Sequence, residues 1–162
     1  MMDPQLCSEH LSRLLAEETT QLGELQQLLY AEHEVLLANE LNALETASTN
    51  RQLCMSALLR IQDERRALLR LHGYRDDPDG INQLLNWCDP GQALKKHWSA
   101  CLDQAARCRQ SNDRNAALVA ARLKRVEGLL EVIVGPGQHA NVYSASGGQH
   151  GNRSGVLFAT EA

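Results

Sequence analysis

A chain of 162 residues, 43% hydrophobic and 22% charged, has room for one soluble domain and a flexible end. Its net charge of −4, with no basic stretch, argues against nucleic acid or an anionic membrane surface as a partner. No run of about 18 apolar residues exists to span a membrane, and aromatics at 4% leave the core to Leu, Ala, Val and Ile, a composition that favours helices.

The opening Met1-Met2-Asp3-Pro4-Gln5 carries no basic region before an apolar run, which predicts no secretory signal. From Leu6 to Leu71 there is no Pro and one Gly. Leu11, Leu15, Leu22, Leu25, Leu29 and Leu36 recur on one helical face, widened by Leu14, Leu28 and Val35. Glu17, Glu18, Gln21, Glu24 and Glu32 fill most of the remainder. This predicts a first helix over about 5–38. A second register, Leu44, Ala47, Arg51, Cys54, Leu58, Ile61, Arg65 and Leu68, does not join the first smoothly. A turn near Ala38-Asn39-Glu40 would fold a second helix, about 40–72, back on the first, although neither Gly nor Pro marks it. Gly73 supplies the stop.

Arg75-Asp76-Asp77-Pro78-Asp79-Gly80 reads as a dense run of turn formers, followed by a short helix over about 80–88 anchored by Leu84, Leu85 and Trp87. After Asp89-Pro90-Gly91 a long helix is predicted over about 91–134. Its seam reads Leu94, Trp98, Cys101, Ala105, Cys108, Asn112, Asn115 and Val119, in alternating steps of four and three. One extra step of four leads to Leu123, Val126, Leu130 and Ile133, a stutter in the heptad. Some 40 helical residues give a rod of roughly 60 Å. The expected fold is therefore all-α: an elongated antiparallel bundle or coiled coil of three long helices and one short one, residues 1–135. The Gly-, Ser-, Asn- and His-rich stretch 136–162 is expected to be a mobile C-terminal tail.

Chemistry is sparse. No GxGxxG, GxxxxGK[ST], GxSxG or HExxH occurs, which predicts neither a nucleotide cofactor nor an enzyme. Cys7, Cys54, Cys88, Cys101 and Cys108 are an odd set without a CxxC pair, as expected of reduced cytoplasmic thiols. Cys101 and Cys108, two helical turns apart, suit a heptad seam better than a metal site, and no metal is predicted. Asn112 and Asn115 occupy seam positions, so either they are buried and fix register or that stretch passes into solvent.

Four segments in order carry a family resemblance: Leu84-Leu85-Asn86-Trp87-Cys88, Asn112-Asp113-Arg114-Asn115, Leu129-Leu130 before Gly135, and Tyr143-Ser144-Ala145-Ser146-Gly147, with Arg66-Ala67-Leu68-Leu69 closing the first half. Together they resemble the FlgN family over roughly residues 8 to 148. The resemblance implies a cytoplasmic chaperone of the flagellar type III export system that holds the hook-filament junction proteins FlgK and FlgL. It implies client binding through Val119, Leu123, Val126, Leu129, Leu130 and Ile133, and docking of Tyr143 on the export gate protein FlhA. The last fourteen residues have no counterpart in it. The expected state is a monomer or weak homodimer, and the competing expectation is a self-associating coiled-coil adaptor without an export client.

Overall fold

Two of the four helices start at an Asp-Pro pair, and a third follows one by a short turn. In the computed structural model, which describes residues 3–135, the four are α1 (Pro4–Ala38), α2 (Leu41–Leu71), α3 (Pro78–Cys88) and α4 (Ala93–Val134). The Asp3 carboxylate accepts from the Gln5 amide at 2.9 Å, with Pro4 in the first turn of α1. Asp77 accepts from the Gly80 amide at 2.7 Å, with Pro78 opening α3. Asp89 accepts from the Leu94 amide at 2.7 Å at the start of α4. Each carboxylate satisfies an amide that the helix cannot, and in α1 and α3 the first-turn Pro gives up an amide with no partner there. The short helix therefore begins at Pro78, two residues ahead of the expected start. Pro78, Asp79 and Gly80 look like turn formers, yet behind a capping Asp they are its first turn.

Two helices end in the same way. Asn39 adopts φ 58° and ψ 34°, its amide donating to the Leu36 carbonyl and that of Glu40 to Val35. Gly73 adopts φ +76°, its amide donating to Arg70 and that of Tyr74 to Leu69. Both are Schellman closures, in which a left-handed residue lets two amides satisfy the last carbonyls. The break at Ala38-Asn39-Glu40 is thus marked after all, since Asn tolerates the left-handed region.

Among the described residues there is no strand, and the architecture is all-α with three long helices and one short. The chain divides into two compact units, Met1–Asn112 and Asp113–Ala162.

In the first unit, consecutive long helices run antiparallel. Glu18 meets Arg65, Gln21 meets Cys54 and Glu32 meets Arg51, so one number falls as the other rises. The first part of α4 runs parallel to α1: Leu15 meets Cys101, Leu22 meets Cys108 and Gln26 meets Ser111. The short α3 makes that up-down-up arrangement possible, because it carries the chain across the end of the hairpin. It seals that end with Ile81, Leu84, Leu85 and Cys88, which pack with Cys7, Leu11, Leu68, Leu69 and Leu94 in one buried cluster. Full burial of each Leu contributes about 1.5–3 kcal/mol.

The two arginines in the α2 seam are answered by charges on α1. Arg51 Nε lies 3.1 Å from Glu32 Oε2, and its Nη1 donates to Asn112 Oδ1 at 3.3 Å. Arg65 pairs with Glu18 and lies over the Trp98 ring, 4.7 Å from its centroid. Glu32, expected on the solvent face, is instead 6% exposed. A buried carboxylate is tolerated because a guanidinium accompanies it.

All five cysteines are buried and free. The thiols of Cys54, Cys101 and Cys108 point at α1 carbonyls, of Gln21, Leu15 and Leu22 respectively, so each acts as a small side chain with a weak donor. Burial raises every one of these thiol pKa values, Cys7 to about 12 and Cys108 to about 11. Alkylation by iodoacetamide at pH 8 is expected to be at least ~100-fold slower in the folded chain than in urea. Rapid labelling of the native protein, read by mass, would contradict this burial. The sign of the linkage follows. The stability these neutral thiols supply is complete below pH 9, their ordinary value, and is lost as pH rises toward about 12.

A candidate client-binding face on α4

The described part of the second unit is a single helical stretch, residues 113–134, ending at Gly135. Gly135 takes φ +77° and its amide donates to the Glu131 carbonyl at 2.9 Å. The apolar side chains here contrast with those of the first unit, where Leu11, Leu15 and Leu84 are at most 2% exposed. Leu123 is 60% exposed, Leu130 42% and Ile133 78%. Val119, Val126 and Leu129 are exposed too, as are Val132 and Val134.

All six residues expected to hold a client are therefore on the surface, and their geometry follows from their spacing. Val119, Leu123, Val126, Leu130 and Ile133 advance by fours and threes, which keeps them on one stripe about 21 Å long. Leu129 and Val132 lie beside the stripe and widen it. Leu118, just ahead of the stripe, is half-buried. Arg122, Lys124, Arg125, Glu127 and Glu131 fill the rest of the helix surface, an apolar band with a charged border. Other exposed apolar residues, such as Tyr30, Leu53, Leu71 and Leu102, are distributed over α1, α2 and the first part of α4. Isolated exposure is ordinary, and only a contiguous patch points to a binding surface.

Of the two seam asparagines, Asn115 is 1% exposed and Asn112 is half-buried against Arg51. The stretch at these residues does not pass into solvent, and the exposed apolar stripe begins only after them. Tyr143, the residue expected to dock on the export gate, lies outside the described residues.

The described residues show little that could catalyse a reaction. A cavity of about 10 Å³ lined by Leu11, Leu15, Arg65, Ile81, Leu84 and Trp98 is too small for a substrate and barely admits one water. Among them, no three His, Cys, Asp or Glu are grouped to hold a metal ion. The thiols are shifted upward, away from the thiolate that a nucleophile needs. No described helix is long and apolar enough to cross a membrane.

This combination of a leucine-built helical unit and an apolar α4 stripe can be set against known proteins. The family model described as FlgN protein matches residues 2–151. The chain belongs to the FlgN family. Flagella synthesis protein FlgN of Salmonella typhimurium is 26% identical over 137 residues, covering 85% of this chain and 88% of that protein. The protein of the same name from Salmonella typhi aligns equally well. A crystal structure described as a flagella synthesis protein FlgN, from Pseudomonas aeruginosa, superimposes with a TM-score of 0.64 at 28% identity. It covers 74% of this chain, which in turn covers 90% of it. The family resemblance that rested on Leu84-Leu85-Asn86-Trp87-Cys88, the Asn112–Asn115 pair and the segments after them is thus established for nearly the whole chain.

Proposed function

We propose that this FlgN-family chain is a cytoplasmic export chaperone for flagellum assembly, holding FlgK and FlgL through α4 before they are exported. The observation that carries the reading is the exposed stripe Val119, Leu123, Val126, Leu129, Leu130 and Ile133. Its width and its charged border suit the apolar face of a client's terminal helix, the geometry of helix-in-groove recognition. Holding needs no nucleotide, because binding alone protects the bound segment by mass action. The flagella synthesis proteins to which the chain is similar support the biological setting.

Titration calorimetry of the full chain against the terminal segments of FlgK and FlgL tests this. One-to-one binding with a submicromolar Kd is expected. Absence of heat together with a concentration-dependent dimer by light scattering would replace the chaperone with a self-associating adaptor.

The tail tyrosine has a separate expected role. Tyr143→Ala should leave client affinity within about twofold, since Tyr143 is not on the α4 stripe, while weakening docking on the export gate protein FlhA about tenfold or more, the usual cost of losing an aromatic anchor. Export and FlhA pull-down measure the second effect, and calorimetry the first. Equal loss in both would place Tyr143 in the client site instead.

A further inference from the structure

The exposed stripe of α4 reads nearly the same in either direction. From Val126, apolar residues stand three and seven positions back, at Leu123 and Val119, and four and seven positions ahead, at Leu130 and Ile133. Turned end for end about Val126, the stripe falls on itself. Leu123 comes level with Leu130 and Val119 with Ile133, each within one residue's rise of about 1.5 Å. The charges beside the stripe change sign at the same point: Arg122, Lys124 and Arg125 precede Val126, and Glu127 and Glu131 follow it. We infer that in the free chain this face is covered by the same face of a second copy, the two α4 stretches lying antiparallel about a two-fold axis near Val126, and that a client displaces that copy.

Symmetry, charge and size favour this occupant. A patch that pairs with itself about a two-fold axis has to be self-complementary under that reversal, and the stripe is. Antiparallel pairing sets the cationic half of one copy level with the two glutamates of the other, and does so twice. It also opposes the two helix dipoles. Parallel pairing would set cations beside cations and glutamates beside glutamates, an arrangement that repels. The apolar contact is short, about two heptads over roughly 21 Å. A seam of that size belongs at the weak end of protein interfaces, with a Kd of about 10–100 μM. A client bound at submicromolar Kd therefore takes the face from the second copy, which shields the leucines only while no client is present. The pairing stands on α4 itself; its displacement by a client rests on the chaperone reading above.

Sedimentation equilibrium of the full chain, over a decade of concentration either side of that Kd, tests the pairing. The mean mass is expected to rise from one chain to two. Lys124→Glu/Arg125→Glu should weaken the dimer about tenfold, as several exposed attractions turned to repulsions imply. Glu127→Lys/Glu131→Lys should do the same. The four changes together reverse the charge order and should return the Kd to within about threefold of the parent, because the pairs are remade. That restoration also shows that the substituted helix still folds. A mass of one chain at every concentration overturns the inference. So does a dimer indifferent to all three sets of charge changes, which would lie on another face or run parallel. Titration with FlgK and FlgL segments separates the two readings. The expected product is one chain with one segment, the dimer being lost. If the chain pairs as described and binds no segment, the pairing stands and the chaperone reading falls. If a chain that stays monomeric binds the segments, the chaperone reading stands and the pairing falls. A complex of two chains with two segments overturns the displacement.

Discussion

Leu123→Asp combined with Leu130→Asp is expected to weaken client binding by about a thousandfold or more while leaving the helices intact. Each leucine, buried by a client helix, contributes about 1.5–3 kcal/mol. Losing two amounts to roughly 4 kcal/mol, or three decades in Kd. A carboxylate pressed against an apolar client adds a desolvation penalty. The fold should not register the change strongly, because Leu123 and Leu130 are 60% and 42% exposed. Asp in a helix interior costs only some tenths of a kcal/mol relative to Leu. Circular dichroism should match the parent chain while calorimetry shows no heat. Affinity within threefold of the parent would move the client site off α4.

The expected structural counterpart lies in the first unit, which Gly80→Ala should destabilise by about 3 kcal/mol, the upper range for forcing volume into a packed site. A methyl group at Gly80 would stand 1.9 Å from the Arg75 carbonyl oxygen and 2.8 Å from its carbon. Both are backbone atoms that cannot rotate away. Either the Arg75–Asp77 turn shifts, or α3 lifts off and exposes Ile81, Leu84 and Leu85. For a chain of this size the penalty lowers Tm by roughly 6–12 °C. Gly128→Ala is the matching control: a methyl there meets nothing within 4 Å. It should be neutral or stabilising by up to ~1 kcal/mol, through helix propensity. Equal melting of both variants would mean that the close approach at Gly80 is not maintained in solution.

What the sequence made readable follows from which forces are local. Helices α1, α2 and α4 announce themselves by leucine spacing, because burying one face requires that spacing wherever the partner lies. Gly73 was readable as a stop for a backbone reason, and Asn39 takes the same left-handed conformation, which shows that the break between α1 and α2 had a marker. The start of α3 was misplaced by two residues because Pro78, Asp79 and Gly80 are equally at home in a turn; only the Asp77 cap decides between them. Glu32 was assigned to solvent because periodicity along α1 carries no information about Arg51 on α2. The seam positions of Arg51 and Arg65 were the available hint, since a charge on a buried stripe calls for an opposite charge facing it. The α4 stripe was legible as pattern in all six residues. Its exposure was not, for a heptad reads the same whether its partner is in the chain or still to come.

The parallel pairing of α1 with the first part of α4 sets the order in which this chain can assemble. Helices α1 and α2 are joined by a two-residue turn, so their closure begins with neighbouring residues. The contacts from Leu15 to Cys101 and from Leu22 to Cys108 each span 86 positions. Closing the longer loop costs more chain entropy, though only by the logarithm of its length, and contacts so remote in sequence slow folding. On a ribosome that adds about 5–20 residues per second, the α1–α2 hairpin must wait several seconds with its third side open before α4 emerges. The side of α1 that later meets α4, with Leu15, Thr19, Leu22 and Gln26, faces water during that interval. On that side Thr19 and Gln26, whose side chains later meet His97, Cys101 and Ser111 of α4, interrupt the leucines, so the waiting hairpin offers a less continuous apolar seam to the next hairpin on the polysome.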